Sequence, residues 1–415
     1  MSQTAFRPII TSLLDTDFYK LTMGQVVYHR YPDVPVKYAF TNRTKHIRLA
    51  DIISEKDLRR ELNHAMTLRF NKTELHYLRG TNEYSDRMFR EDYLDFLGRF
   101  SLPPYELRFA DGQIQLEFSG RWSEAIYWET IALAIVNELC YRWNLSLKTR
   151  FELDLVFAEG RKRLAEKIVK LRRHPEITFC DFGTRRRFSR DWHDYVVGVT
   201  AEEMPGQMLG TSNAYLAMKH GLLPMGTSAH EMYMVMSGVT GESDETIRAS
   251  HNKVLRDWWD EYGFGLSVAL TDTYGTDFFF RDMTAEQAEN WKGLRQDSGD
   301  PFVFGEKAIA FYEKLGIDPK TKIIVFSDGL DVDTIIELHK KFRGRIKTTF
   351  GWGTNLTNDL GLKALSLVVK TVEANGRGLV KLSDNIAKAI GRPEDIEKFK
   401  RIFGYDVTTF EECKY

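Results

Sequence analysis

Cysteine is scarce in this chain, and the few cysteines present form no recognisable pattern. The 415 residues contain three, at Cys140, Cys180 and Cys413. Their spacing fits neither a disulfide framework nor a set of zinc ligands, and the ten histidines include no His-Glu-x-x-His pair. We therefore expect no structural or catalytic zinc. Cys180 lies in an apolar run and is expected to be a small core residue rather than a nucleophile.

Long apolar runs and an excess of one charge are also missing. Apolar stretches such as residues 131–136 are too short to cross a bilayer, and no basic-then-apolar leader opens the sequence. We therefore expect a cytoplasmic protein without a membrane partner. With 58 basic and 59 acidic residues the formal net charge is -1, so we expect no nucleic-acid partner. An anionic ligand would need locally concentrated positive side chains.

The length predicts two structural units, because 415 residues exceed what one hydrophobic core usually holds. Residues 1–145 mix helical and strand patterns and are expected to form an N-terminal α/β domain of the α+β kind. A helix capped by Asp15 or Thr16 and a hairpin around residues 111–112 are its clearest features. Residues 146–415 form the second unit, whose last segments we expect to pack back on the first.

From about residue 146 onward, short apolar runs alternate with longer helical stretches. The candidate strands are residues 177–182, 206–210, 222–226, 266–270, 322–326, 346–350 and 365–372. Such alternation is typical of parallel strands joined by crossover helices, and about eight strands of this kind close into a barrel with its active site at their carboxyl ends. We therefore predict an irregular TIM-like α/β barrel. The Asn375-Gly376 turn departs from this pattern and predicts a late hairpin.

Polar loops follow most of the candidate strands. The clearest are residues 181–187, 210–213, 226–231, 295–300, 326–331 and 350–358. Glycine-rich turns before a helix suit phosphate, acidic groups suit ribose hydroxyls or Mg2+, and arginine suits a carboxylate or phosphate. Structural alternatives remain open: a helix cap for residues 326–331 and 350–358, a salt-bridged turn for residues 295–300 and a solvated charged face for residues 181–187. The Gly-Lys-Ser/Thr ending of a Walker A loop is missing.

His230 is the sharpest candidate in these loops. Most lone histidines are satisfied core or surface groups, yet this one follows the hydroxyl residues Thr227 and Ser228. The adjacent Glu231 could orient the ring and stabilise its cation. A histidine placed in this way can act as a base or as a nucleophile towards phosphorus, and composition does not decide between the two.

Eight short motifs occur in the order found in the nicotinate phosphoribosyltransferase family. They are residues 16–20, 181–185, 210–213, 226–231, 295–300, 327–331, 350–355 and 381–384. Because eight ordered motifs spread over most of the chain are specific, the sequence resembles this family of type II phosphoribosyltransferases. The resemblance implies that nicotinate reacts with 5-phosphoribosyl 1-pyrophosphate to give nicotinate mononucleotide and pyrophosphate, in the salvage route to NAD. It also implies coupling to hydrolysis of ATP to ADP and phosphate through a phosphohistidine.

The resemblance assigns roles to individual side chains. His230 takes the phosphohistidine position, with Glu231 and Asp297 as further catalytic residues. Nicotinate-binding residues would be Tyr19, Phe182, Arg185, Ser212, Thr227 and Arg295, and those for the phosphoribosyl donor would be Asp328, Gly329, Gly353, Thr354 and Lys381. Mg2+ would bind through the phosphates, with Asp297, Asp300 or Asp328 as candidate ligands. ATP would be a co-substrate, and no tightly bound organic cofactor is expected.

The resemblance further implies a homodimer with shared active sites, in which Tyr19 of one copy faces Phe182 of the other across the pyridine ring. The related nicotinamide enzyme has an acid where this chain has Ser212, and a hydroxyl does not repel a carboxylate, which favours nicotinate. The alternatives are a nicotinamide or quinolinate phosphoribosyltransferase without obligatory ATP use, and a non-catalytic phosphate-binding barrel.

Overall fold

A computed structural model of the protein describes residues 6–411, so Cys413 lies outside the described residues. The helices are α1 (Phe18–Arg30), α2 (Leu49–Ile52), α3 (Glu55–Thr67), α4 (Lys72–Gly80), α5 (Glu91–Arg99), α6 (Trp122–Ala125), α7 (Trp128–Ser146), α8 (Arg150–Leu171), α9 (Arg190–Glu203), α10 (Ala214–His220), α11 (His230–Val239), α12 (Asp244–Tyr262), α13 (Thr276–Asp282), α14 (Ala285–Asn290), α15 (Pro301–Lys314), α16 (Val332–Phe342), α17 (Thr354–Thr357) and α18 (Pro393–Phe403). The strands are β1 (Pro35–Asn42), β2 (Asn82–Glu83), β3 (Asp86–Arg87), β4 (Tyr105–Ala110), β5 (Gln113–Arg121), β6 (Phe179–Asp181), β7 (Met208–Thr211), β8 (Leu223–Pro224), β9 (Val268–Leu270), β10 (Gly293–Gln296), β11 (Ile323–Phe326), β12 (Lys347–Trp352), β13 (Leu367–Ala374) and β14 (Arg377–Gly378). Short 3-10 helices cover Thr184–Arg186, Pro319–Thr321 and Ile386–Lys388.

The larger sheet is parallel. Between residues 6 and 411 it has seven strands in the order β8-β7-β6-β12-β11-β10-β9, and it curls into an open half-barrel. The stretch between β8 and β9 contains α11 and α12 instead of another strand of this sheet. The predicted class, an irregular α/β barrel with a separate N-terminal domain, is confirmed. Because all seven strands run the same way, their carboxyl ends meet at one edge, where a ligand is expected.

Strand β10 was not among the predicted strands. Its residues are Gly293, Leu294, Arg295 and Gln296, so only one is strongly apolar. It is nevertheless a central strand, paired in parallel with β9 and β11. Apolar periodicity could not identify it, because polar side chains occupy a strand that reaches the functional edge of the sheet.

The smaller sheet is antiparallel and joins the two ends of the chain. For the part of the chain that the structure describes, it has five strands in the order β14-β13-β1-β5-β4. In it β13 pairs with β1, with Val36 opposite Ala374 and Asn42 opposite Leu367. The prediction that residues 365–372 belong with the parallel strands was therefore wrong, since an apolar run reveals a strand but not its partner. The hairpin at Asn375-Gly376 is confirmed, with both residues at positive φ, as a tight hairpin turn requires.

Helix α7 runs through the interior and connects this sheet with the functional edge. Its residues from Trp128 to Tyr141 are buried, and the helix packs against β13 and the 3-10 turn at Thr184–Arg186. Glu129 is thereby fixed in the interior. Within residues 6–411, no helix combines the length and the apolar character needed to cross a membrane.

Candidate active site

A basic cleft opens at the carboxyl edge of the parallel strands. Its empty volume is about 1070 Å³, including space open to solvent. The basic side chains in its lining are Arg43, Arg185, Arg186, Arg295, Lys370, Lys381 and Lys388, and the acidic ones are Asp297 and Asp328. Positive charge is thus concentrated here although the whole chain is nearly neutral. Such a cleft suits an anionic ligand that carries phosphate or carboxylate groups.

His230 begins α11 and forms part of the cleft wall. Its Nε2 lies 3.1 Å from Asp297 Oδ2, and its Nδ1 lies 3.0 Å from Thr273 Oγ1. Burial tends to raise the pKa of Asp297, but the charge of Arg295 and the hydrogen bond with His230 hold it well below its ordinary value. A carboxylate can only accept, so the ring donates through Nε2 and its Nδ1 accepts from the threonine hydroxyl.

The imidazole of His230 is neutral near pH 7. Burial and the nearby charge of Lys381 lower its pKa from 6.5 to about 4, outweighing the opposite effect of Asp272 and Asp297. A neutral ring retains a lone pair, which is what a nucleophile or a general base requires.

Asp272 and Lys381 complete the surroundings of the ring. Asp272 Oδ1 lies 3.9 Å from His230 Nε2, while Asp272 Oδ2 accepts from Ser298 Oγ at 2.5 Å and lies 3.7 Å from Lys381 Nζ. Burial lowers the pKa of Lys381 to about 8 despite these carboxylates. The ammonium therefore titrates within the range of an ordinary enzyme assay.

An aromatic and arginine wall forms a second part of the cleft. The guanidinium of Arg295 lies 5.5 Å from the centre of the Phe182 ring, and its other contacts are Ser327 Oγ at 2.9 Å and Asp297 Oδ1 at 3.1 Å. A Cβ atom at Gly351 would lie 2.4 Å from the Phe182 ring, so only glycine leaves room for it. The phenyl face and the arginine together suit a flat, negatively charged ring.

A buried Asp-His pair supports the loop that carries Phe182 and Arg185. Asp181 Oδ2 lies 2.7 Å from His193 Nε2 and accepts from Thr211 Oγ1 at 2.6 Å, and Oδ1 accepts from the Gly183 amide at 2.8 Å. These contacts tie the end of β6 to the end of β7 and to α9. They explain why an acid begins the motif at residues 181–187, whose role charge and spacing alone did not determine.

The third part of the cleft consists of the loops after β11 and β12. Gly329, at φ 58°, and Gly353 line it together with Thr354 and Asp328. Asp328 accepts a hydrogen bond from Lys388. Burial raises the pKa of Asp328, while Lys388 acts in the opposite direction. Backbone amides, a hydroxyl and a lysine suit a phosphate, and a carboxylate suits sugar hydroxyls.

Most of the predicted site residues converge on this cleft. Those in its lining are Tyr19, Phe182, Arg185, His230, Arg295, Asp297, Asp328, Gly329, Gly353, Thr354 and Lys381. Tyr19 lines the cleft of its own chain, whereas the resemblance assigned this ring to a second copy. A partner subunit is therefore not needed to supply Tyr19.

The prediction that Glu231 orients the His230 ring is wrong. Its Oε1 accepts from Tyr38 OH at 2.6 Å and Trp122 Nε1 at 2.7 Å, and its Oε2 accepts from Lys20 at 2.5 Å. Successive side chains on a helix point about 100° apart. The carboxylate of Glu231 therefore faces the interior while His230 faces the cleft.

Ser212 and Thr227, which the resemblance places at the nicotinate carboxylate, contact the N-terminal part of the chain in this structure. The Ser212 hydroxyl donates to Asp17 Oδ1 at 2.6 Å, and the Thr227 carbonyl accepts from Thr22 Oγ1 at 3.0 Å. Neither residue is in the lining. The Ser212 hydroxyl is therefore engaged with Asp17, and direct contact of Ser212 or Thr227 with a substrate carboxylate stays a prediction.

Asp300 caps a helix and lies outside the cleft lining. It is exposed, and its Oδ1 accepts from the amides of Phe302 at 2.7 Å and Val303 at 3.1 Å, at the start of α15.

Several residues that line the cleft or contact His230 were missed by reasoning from the sequence. Asp272 and Thr273 follow the predicted strand at residues 266–270, so the rule that polar residues follow strands could have found them. Three further residues lie outside the parallel sheet: Arg43 directly follows β1, Lys370 is in β13 and Lys388 ends a 3-10 helix. No sequence pattern predicts that these three residues reach the carboxyl edge of the parallel sheet.

A neutral histidine beside a basic cleft, at the carboxyl edge of an incomplete parallel barrel, defines an enzyme that acts on phosphorylated small molecules. The profile of the nicotinate phosphoribosyltransferase (NAPRTase) family matches residues 177–407, and that of the family's N-terminal domain matches residues 14–137. The chain belongs to the nicotinate phosphoribosyltransferase family.

Solved structures agree with this assignment. The nicotinate phosphoribosyltransferase from Vibrio cholerae is 35% identical with a TM-score of 0.84, and the match covers 96% of this chain and 94% of that one. The nicotinate phosphoribosyltransferase from Porphyromonas gingivalis is 33% identical with a TM-score of 0.84, covering 95% of this chain and 100% of that one.

Proposed function

We propose that the protein transfers the 5-phosphoribosyl group of 5-phosphoribosyl 1-pyrophosphate to nicotinate, forming nicotinate mononucleotide and pyrophosphate in NAD salvage. One ATP would be hydrolysed to ADP and phosphate for each nucleotide, through a phosphohistidine at position 230. The observation that carries the proposal is the neutral His230 ring, held between Asp297 and Thr273 in a basic cleft.

Nicotinate would bind at the aromatic wall. Tyr19 and Phe182 would contact the faces of the pyridine ring, and Arg185 would face the carboxylate. The side chain of Arg185 is 32% exposed, although Asp17 and Glu129 lie 3.7 and 3.6 Å from it. It can therefore exchange these long ion pairs for a substrate carboxylate. An arginine at this place prefers a negatively charged pyridine, which favours nicotinate over nicotinamide.

The phosphoribosyl donor would bind along the loops after β11 and β12. Gly353 and Thr354 would hold the 5-phosphate, Asp328 the ribose, and Lys381 the pyrophosphate. When pyrophosphate leaves C1, the nitrogen of nicotinate forms the new bond and the ribose passes through a cation-like state. Fixed charges around the donor would align the reactants and stabilise the developing charges.

In the coupled step, His230 would attack the γ-phosphorus of ATP. A nitrogen–phosphorus bond forms, the bond to the bridging oxygen breaks, and ADP leaves. Asp297 would stabilise the positive charge that the ring acquires. Water later attacks the phosphohistidine and releases phosphate, so the ring returns to its starting state.

The cleft also fits Mg2+ bound to the phosphates. Asp297 and Asp328 provide the oxygen donors that Mg2+ prefers. Among residues 6–411, no three His, Cys, Asp or Glu residues form a group that could hold a metal on their own. Substrate phosphates would therefore supply most of the ligands, and the ion would neutralise their charge.

The proposal includes a cytoplasmic homodimer. Since Tyr19 lines its own chain's cleft, a second copy would complete the site with other residues or support it indirectly.

The decisive assay incubates purified protein with 5-phosphoribosyl 1-pyrophosphate, Mg2+ and nicotinate, nicotinamide or quinolinate, with and without ATP. Nicotinate mononucleotide is expected from nicotinate, at a rate that ATP increases. Nucleotide from another pyridine in preference to nicotinate would assign a different substrate. No nucleotide from any pyridine would favour a non-catalytic binding barrel.

Lys381 predicts a pH dependence for use of the phosphoribosyl donor. Its ammonium is charged below its pKa of about 8 and loses its charge above it. In free enzyme, kcat/KM for 5-phosphoribosyl 1-pyrophosphate is therefore expected to fall as the pH rises through about 8. Lys381→Arg should move this fall to higher pH, since arginine stays charged.

The matched control for this profile is Lys314→Arg at the exposed end of α15, which should leave it unchanged. An alkaline fall that is the same in Lys381→Arg and the wild type would rule Lys381 out as its source.

A further inference from the structure

Behind the cleft lies a buried charge cluster formed by Lys20, Glu129 and Glu231. The Lys20 ammonium lies 2.6 Å from Glu129 Oε2 and 2.5 Å from Glu231 Oε2. The three side chains are 0%, 3% and 4% exposed. One ammonium is thus shared by two carboxylates in a region without solvent, where each ion pair is strong and loss of a partner is costly.

The Glu129 end of the cluster contacts the base-binding part of the cleft. Glu129 Oε1 accepts from Lys370 Nζ at 2.9 Å and lies 3.6 Å from Arg185, and Glu129 Oε2 lies 3.5 Å from Tyr19 OH. Lys370, Arg185 and Tyr19 all line the cleft. Glu129 therefore compensates cations that an anionic substrate would also attract.

The Glu231 end of the cluster anchors the helix that carries His230. Glu231 is the second residue of α11, directly after His230, and its other carboxylate oxygen is held by Tyr38 from β1 and Trp122 from α6. The position of the first turn of α11 thus depends on contacts to Glu231 from the N-terminal part of the chain.

We propose that Lys20, between Glu129 and Glu231, is a positioning residue that links occupancy of the nicotinate end of the cleft to the placement of His230. This inference rests on the proposed function and extends it to a set of residues that touch neither substrate nor phosphate.

The physical step is a change of partner by one buried ammonium. When a substrate carboxylate attracts Arg185 and Lys370, Glu129 loses part of its compensation and attracts Lys20 more strongly. The contact of Lys20 with Glu231 then weakens, and the first turn of α11 adjusts. Because coupling between two sites is reciprocal, a phosphoryl group on His230 must change nicotinate affinity through the same contacts.

The test is Glu129→Gln, which keeps the shape of the side chain and removes its charge. Nicotinate affinity is measured by equilibrium dialysis with labelled nicotinate, in the presence and absence of ATP and Mg2+. In the wild type, ATP should tighten nicotinate binding on the order of 5-fold or more, and in Glu129→Gln this ratio should fall to about 1. Formation of the phosphohistidine itself should persist, because His230, Asp297 and Thr273 are unchanged.

Glu138→Gln is the matched control. Glu138 is a buried glutamate on the same helix, α7, paired with Arg142 and with the Arg190 amide and outside the cleft lining. Its substitution should leave the ATP effect at the wild-type ratio. A second variant, Tyr38→Phe, removes the hydroxyl that donates to Glu231 and keeps the aromatic ring. It should also lower the ratio, and it replaces Glu129→Gln as the test if that variant does not fold.

The outcomes separate this inference from the proposed function. A Glu129→Gln protein, or failing that a Tyr38→Phe protein, with the wild-type ratio would overturn the role of Lys20. A wild type that makes nicotinate mononucleotide but binds nicotinate equally with and without ATP would also overturn it, and would leave the proposed function intact. A wild type that makes no nucleotide would instead remove the proposed function.

Discussion

Replacing His230 with asparagine is expected to abolish the phosphoenzyme and the ATP-dependent part of nucleotide synthesis. The amide of asparagine overlies the Nδ1 side of the ring, so it can keep the contact with Thr273 at 3.0 Å but does not reach Asp297, which lies 3.1 Å from Nε2. It also has no nucleophilic nitrogen. Loss of a positioned reactive histidine typically lowers a rate by on the order of 10²–10⁴-fold. The measurements are acid-labile phosphate incorporated from ATP labelled at the γ-position and the rate of nicotinate mononucleotide formation with ATP.

Synthesis without ATP serves as the internal control for His230→Asn. The cations of the cleft and the Phe182 wall are unchanged in this variant, so any ATP-independent rate should be retained. The assignment of His230 fails if the variant still consumes ATP in step with nucleotide formation.

Asp297→Asn is expected to have the second largest effect. Asp297 fixes the proton on His230 Nε2 and lies 3.1 Å from Arg295 and 2.9 Å from Ser327 Oγ. An amide can donate to Nε2, which reverses the tautomer, and it carries no charge to stabilise the ring cation formed during attack. Substitutions of this kind beside a catalytic histidine cost up to about 10⁴-fold in rate. The measurement is the single-turnover rate of His230 phosphorylation.

Asp300→Asn is the matched control for Asp297→Asn, three residues further along the same loop. Asp300 is exposed and caps α15, and asparagine is an equally good helix cap. This variant should phosphorylate and turn over like the wild type. Equal rates of phosphorylation in Asp297→Asn and Asp300→Asn would show that Asp297 does not act on the ring.

The sequence predicted the parallel strands and their loops well, because those features depend on local patterns. Apolar runs ending in Gly, Asp, Ser or Thr located β6, β7, β8, β9, β11 and β12, and the loops after them brought His230, Asp328 and Gly353 to one cleft. β10 was missed because its residues are mostly polar. β13 was detected but assigned to the wrong sheet, since pairing depends on residues more than 300 positions away, as in Asn42 opposite Leu367.

Side-chain direction was harder to predict than position. Glu231 and Ser212 belong to sequence motifs that lead to the cleft, yet both side chains point into the interior. There Glu231 contacts Lys20, and Ser212 contacts Asp17. Lys370 comes from β13 and therefore reaches the cleft only through the pairing that sequence reasoning missed. Residues adjacent in the sequence lie at nearly the same place in the fold. Helix geometry and buried charged partners then determine which of their side chains faces the cleft.

The pairing of β13 with β1 has a consequence for synthesis of the chain. Until residue 374 has left the ribosome, the edge of β1 that later receives β13 has no native partner. An open strand edge is a template for pairing between molecules, so the nascent N-terminal domain is exposed to aggregation for most of translation. The topology of this protein therefore predicts that chains terminated before β13 aggregate more readily than the full chain.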